Sequence, residues 1–253
     1  MWNVAVGQNG FLTAALIGGT LVAIPRRPLL AGILLGLLTY KPQFGLAFPL
    51  VLAAAGHWRC FGAAAATAVL LAAASLALFG LDSWAAFLPS LGQTTQAVMQ
   101  EGRADLAKLH SVFGAVRTLG GGAALAWSLH AAIALAATLA TAVLWRSALP
   151  FALKAAALAL ASLIASPYVY VYDLTVLAVP IAFLLQHARA TGFRPGEREA
   201  LVLAAALILA FAVVPFPAGI VSIALVVGIL WRRAHEELTL GAGFIPHNRA
   251  ECP

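Results

Sequence analysis

"LLTYKPQFGL", residues 37–46, interrupts an apolar run with a lysine, a proline and a glutamine. Between Leu29 and Ala55 almost nothing else is polar. How this stretch is read decides the fold. Either 29–55 is one long helix that holds Lys41 in mid-membrane, or it is two short helices that meet at Tyr40-Lys41-Pro42-Gln43. Pro42 favours the second, because proline removes a backbone donor and steers the preceding residue away from helical geometry.

That a membrane is involved follows from composition. Of 253 residues 62% are apolar and only 9% are charged, where a soluble domain carries about 25%. So few charges cannot cover a water-facing surface. The expected fold is all-α, a polytopic integral membrane helical bundle. Apolar runs fall at 10–24, 29–39, 44–55, 61–79, 121–145, 151–165, 174–187, 200–214 and 217–231. Several are shorter than the roughly 20 residues of a full crossing.

Basic residues choose between the two readings. With a hairpin at Lys41, eleven of them share one side: Arg26, Arg27, Arg59, Arg146, Lys154, Arg189, Arg194, Arg198, Arg232, Arg233 and Arg249. Lys41, Arg103, Lys108 and Arg117 take the other. One long helix divides the loops nine against five and strands Lys41 in lipid, at a cost of at least about 2.5–3.5 kcal/mol. The hairpin therefore wins. The same logic splits 200–231 at Pro215-Phe216-Pro217, which gives nine helices, an outer amino terminus and a cytoplasmic carboxyl terminus. The net charge of +6 then marks cytoplasmic loops and contact with anionic membrane lipids, not nucleic acid. Met1 to Asn9 carries no basic n-region, so no separate signal peptide is expected. Cys60 and Cys252 lack metal-ligand spacing and are read as incidental.

With that topology four polar segments meet on the non-cytoplasmic side: Gly7-Gln8-Asn9, 39–43, the long loop from Leu81 to Gly120, and "SPYVYVYD" at 166–173. Lys41 is either a snorkelling lysine or an anion site at membrane depth, with Gln43 as a further amide contact. Tyr168, Tyr170 and Tyr172 alternate, as on an extended strand with its rings on one side. With Asp173 they read either as an aromatic belt ending in a helix cap or as a sugar-binding wall. "SWAAFLPSL" at 83–91 places Trp84, Phe87, Leu88 and Leu91 on one face, as in an interfacial helix. Glu101, Arg103, Asp105, Lys108, His110 and Arg117 form either a solvated face or a substrate contact. His110 and Arg117 are the most suggestive, because they lie where the chain re-enters the membrane. Asn9 is a candidate cap for the first helix, and Gln8 stands beside it.

These marks resemble glycosyltransferase family 87: "GQNGFLTAALIGG" (7–19), "RRPLLAGILLGLLTYKPQFGLAFPLVL" (26–52), "HSVFGAVRTLGG" (110–121) and "SPYVYVYDLTVLAVP" (166–180). The resemblance implies an integral membrane enzyme of the GT-C class. Such an enzyme transfers a hexose, typically mannose, from a polyprenyl-phosphate donor to a lipid or glycan acceptor outside the cytoplasm, here at a bacterial inner membrane. It implies that Lys41, between two short helices, sits near the donor phosphate, and the reading of the residues themselves adds Gln43, His110 and Arg117 as further donor contacts. Gln8, Asn9, the three tyrosines and Asp173 would face sugar or acceptor. No cofactor is identified beyond the donor itself.

The family pattern also implies an initial helix and an outer loop bearing the catalytic acid. Only six residues precede Gly7, so the expectation is an N-terminally truncated transferase domain over 1–231, inactive as given, followed by a cytoplasmic tail over 232–253. Without that loop the catalytic residue is unknown, and Asp173 is the fallback. Two other classes compete: a transporter or lipid flippase with Lys41 and Asp173 as pathway charges, and a non-catalytic membrane scaffold. The first would show inverted repeats, and none is visible.

Overall fold

The computed structural model describes residue 3 and residues 7–95, 108–210 and 218–243. Pro215-Phe216-Pro217, Glu101, Arg103, Asp105 and the last ten residues lie outside them. Within them the chain is helical, and an isolated bridge between Leu109 and Tyr170 is the only strand-like pairing. Ten α-helices are described: α1 (Gly10–Ala23), α2 (Pro28–Leu37), α3 (Ala47–Ala54), α4 (Trp58–Thr95), α5 (Val112–Thr118), α6 (Ala123–Arg146), α7 (Phe151–Ala165), α8 (Ala178–Thr191), α9 (Glu197–Ala210) and α10 (Ala218–Gly243). Four segments are long and apolar enough to cross a membrane: Trp58–Ser90, Ala123–Arg146, Asp173–Thr191 and Ala218–Thr239. Four more apolar helices are shorter. The protein is a helical membrane protein.

The quoted stretch folds as two helices. After α2 the chain tightens into a 3₁₀ turn at Leu38–Tyr40 and leaves helical geometry at Lys41 (φ −134°, ψ 70°). A second 3₁₀ turn, Pro42–Gly45, leads into α3. The direction of α3 follows from its neighbours. A Cβ on Gly32 would strike the Cys60 carbonyl and Ala63, and one on Gly36 would strike Thr67 and the Ala64 carbonyl. Numbers rise together on α2 and α4, so the two helices run parallel. Gly32 and Gly36, one turn apart, let their backbones close on each other. The connection between parallel helices must return, and α3 is the return leg. The hairpin is therefore real. With a rise of 1.5 Å per residue, Lys41 lies roughly 13 Å short of residue 80 on α4.

Helix α4 bends at Gly80, whose φ of 76° and ψ of 170° are open only to glycine. Residues 58–79 make a crossing of about 33 Å. Beyond the bend residues 81–95 are again helical, and Phe87 and Leu88 are exposed. At the centre is α7, buried on nearly every side, including Ala155, Ala156, Ala157, Ala159 and Ala161. These small side chains let α3, α6, α8 and α10 close around it. Helix α10 continues past Trp231 to Gly243 without a break, so the expected tail boundary at 231/232 falls inside it.

The two ends of the bundle differ. At one end His57 packs edge-on against Trp145. The Trp145 indole donates to the Lys154 carbonyl at 2.7 Å, and Lys154 donates to Ser147. Arg27, Arg59 and Arg146 lie at the helix termini of this end. The Lys41 turn is at the other end.

Candidate functional site

Three of the four polar segments and Asn3 come together at the end of the bundle that carries the hairpin. Tyr40, just before Lys41, bonds the Thr13 hydroxyl at 2.6 Å and donates to the Asn9 carbonyl at 3.4 Å. This ties the hairpin to the first turn of α1. Asn9 itself caps nothing with its side chain. The free amide of Gly10 goes instead to Asn3, whose Oδ1 accepts it at 2.7 Å. The Nδ2 of Asn3 donates to the Tyr172 carbonyl (3.1 Å) and to the Thr175 hydroxyl (2.9 Å). A buried amide thus joins the start of α1 to the two sides of Asp173. Gly10 must be glycine here, because a Cβ would collide with the Tyr172 carbonyl and with Asn3.

Asp173 opens the 3₁₀ turn Asp173–Leu177. Its Oδ2 accepts the Tyr170 amide at 3.2 Å, three residues back. Its Oδ1 accepts Lys41 Nζ at 2.7 Å. The two residues that sequence reasoning treated separately form one ion pair. The carboxylate is 2% exposed and the lysine 14%. The ammonium also lies 5.2 Å from the Tyr172 ring centroid and 5.9 Å from that of Phe44, and ring faces attract a cation at such distances. Tyr170 and Tyr172 stack at 5.5 Å with planes 14° apart. Tyr168 turns toward the small cluster of Leu109, Phe113 and Trp127.

The remaining candidates are placed as follows. Gln43 is half-buried and Gln8 exposed. His110 is fully buried, and its amide donates to the Val169 carbonyl at 2.7 Å. Its ring is pressed against Gly219, next to Leu174. Burial pushes the imidazole down to about 4, so it is neutral across the physiological range. Arg117 donates to the Gly121 carbonyl at 3.0 Å and closes the end of α5. Below the Lys41 turn an apolar crevice of about 330 Å³ opens between α2, α3 and α4, lined among others by Pro42, Leu46, Pro49, Phe61 and Ala65.

Two features escaped the sequence reading. Asn3 is a lone polar residue in an apolar leader, and only its three-dimensional partners reveal its role. Arg233 was counted as a loop cation but is buried against Glu197.

A membrane helical bundle that gathers a partly exposed lysine, a buried carboxylate and two stacked tyrosines at one end is the class this site defines. The comparisons agree with that class. Residues 1–167 match the model of glycosyltransferase family 87, about two thirds of the chain. The chain belongs to glycosyltransferase family 87 and is a membrane glycosyltransferase that acts between a sugar donor and an acceptor. The match contains Lys41, His110 and Arg117 and ends just before Tyr168. No curated protein matches the chain, and no solved structure does.

Proposed function

We propose that this chain is built as a GT-C type hexosyltransferase, of mannosyl specificity, that takes its sugar from a polyprenyl phosphate. The observation that carries the reading is Lys41. Among the described residues it spends one of three N–H donors on the protein, and it remains partly exposed between apolar helices. A strongly hydrated ammonium is costly to keep there, and a lipid-borne phosphate can meet it. The apolar crevice below the turn would take the first isoprene units of the lipid. The stacked Tyr170 and Tyr172 offer flat faces to a pyranose ring.

In the transfer, the acceptor hydroxyl oxygen bonds to the sugar anomeric carbon while the bond from that carbon to the phosphate oxygen breaks. The electron pair leaves on the phosphate, where Lys41 neutralises it. The hydroxyl proton needs a carboxylate to receive it, and Asp173 is the acid that lies at the cation. The basic residues gathered at the opposite end support a reading in which the Lys41 end lies on the non-cytoplasmic face of a bacterial-type plasma membrane.

Binding of labelled polyprenyl-phosphate mannose to the purified chain tests this reading. Saturable binding that is lost in Lys41→Gln, at unchanged membrane insertion, is expected. Binding unaffected by Lys41→Gln would reduce the lysine to a snorkelling residue. Orientation is checked with cysteines at Gln43 and Glu199, which an impermeant thiol reagent should label from opposite sides.

A further inference from the structure

The Lys41–Asp173 contact is one-sided. The carboxylate is the sealed member and the ammonium the accessible one. Among the described residues the lysine has donors to spare, since its ring contacts take up charge but accept no conventional hydrogen bond. The carboxylate is held by a single bond to Lys41 and a longer one to the Tyr170 amide. A phosphate oxygen that binds the same ammonium sets two anions against each other in a poorly solvated place, where like charges repel strongly.

Resting on the donor-phosphate reading of Lys41, we propose that Asp173 is a built-in competitor for that lysine, which the arriving lipid phosphate displaces. The carboxylate is masked in the empty protein and free once the donor is seated. Release needs only a side-chain rotation. The backbone on both sides of Asp173 is pinned, because Asn3 holds the Tyr172 carbonyl and the Thr175 hydroxyl and the Asp173 amide is bonded to the Tyr170 carbonyl at 2.8 Å. An order of events follows. The donor binds first, and the base that takes the acceptor proton exists only afterwards. A water or acceptor that enters early meets a carboxylate whose charge is already spent on Lys41.

The test measures farnesyl phosphate binding to the detergent-solubilised full chain, with uncharged farnesol as the control. Asp173→Asn keeps the size and the acceptor for the Tyr170 amide but removes the competing charge. It should bind farnesyl phosphate about tenfold more tightly than the wild type. Equal or weaker binding by Asp173→Asn, with normal binding by the wild type, overturns the competition and leaves the phosphate site standing. A wild type that does not bind farnesyl phosphate overturns the site and the competition together. A second measurement needs no variant: modification of Asp173 by an apolar carbodiimide, followed by peptide mass. Farnesyl phosphate should accelerate that modification and farnesol should not. Protection or no change on adding farnesyl phosphate would refute the release of the carboxylate.

Discussion

Two buried ion pairs occupy opposite ends of this molecule, and they are built differently. Arg233 and Glu197 face each other in fork geometry, 2% and 3% exposed. Arg233 also donates to the Thr191 hydroxyl at 3.1 Å and to the Gly192 carbonyl at 2.7 Å, while Glu197 accepts the Arg194 amide at 2.8 Å. Nearly every donor and acceptor is used, and the pair locks α10 to the turn between α8 and α9. Lys41 and Asp173 share one bond and leave donors open. A charge whose hydrogen-bonding capacity is exhausted by the protein is structural. A charge with capacity left over is available to a ligand. The choice of residue fits: guanidinium for a fixed planar fork, ammonium for a point charge on a flexible stem.

The contrast can be broken by mutation. The largest effect is expected for Glu197→Gln, which leaves the Arg233 charge buried without its anion. It should cost about 3–5 kcal/mol, read as a lowered unfolding midpoint in detergent. Lys41→Gln should cost less, about 1–3 kcal/mol, because the stranded Asp173 keeps the Tyr170 amide and can neutralise itself by taking up a proton, which a guanidinium cannot do by losing one. Equal losses in the two variants would erase the distinction between a structural and a receptive pair. Tyr172→Leu removes one ring face from the ammonium. It should weaken farnesyl phosphate binding several-fold, for a contact worth about 0.5–2 kcal/mol, with the unfolding midpoint little changed. The smallest effect is expected for Arg194→Ala. Its guanidinium meets Glu236 at 2.8 Å on the surface, and Glu236 keeps Arg232. Such pairs contribute little, so the midpoint should not move. A clear drop would mean that the surface charges belong to the lock.

The hairpin was legible because its signals are local. A proline follows a lysine in an apolar run, and the charge count weighs every loop. That a separate helical stretch follows residue 80 was legible for the same reason, from the spacing of Trp84, Phe87 and Leu88. Helix α2 lying parallel to α4 was not, since Gly32 and Gly36 look like ordinary small residues until their neighbours are known. The pairing of Lys41 with Asp173 was also hidden. Each residue stood out alone, but nothing local joins positions so far apart. Asn9 was favoured as the cap because it is adjacent to α1, whereas the structure uses Asn3 from further back. The burial of Arg233 was hidden for a related reason: a loop cation and a buried one look alike until α10 is seen to run on through it.

Lys41 and Asp173 are 132 residues apart, and a ribosome needs on the order of ten seconds to make that length of chain. For that interval the lysine has been synthesised and its carboxylate has not. The α2–α3 loop therefore enters the bilayer carrying an unmatched charge, and the flexible stem of lysine can carry it back toward the head groups until the later helices arrive. The Lys41–Asp173 bond can form only once residue 173 has been made, so the first hairpin acquires its anionic partner late in synthesis.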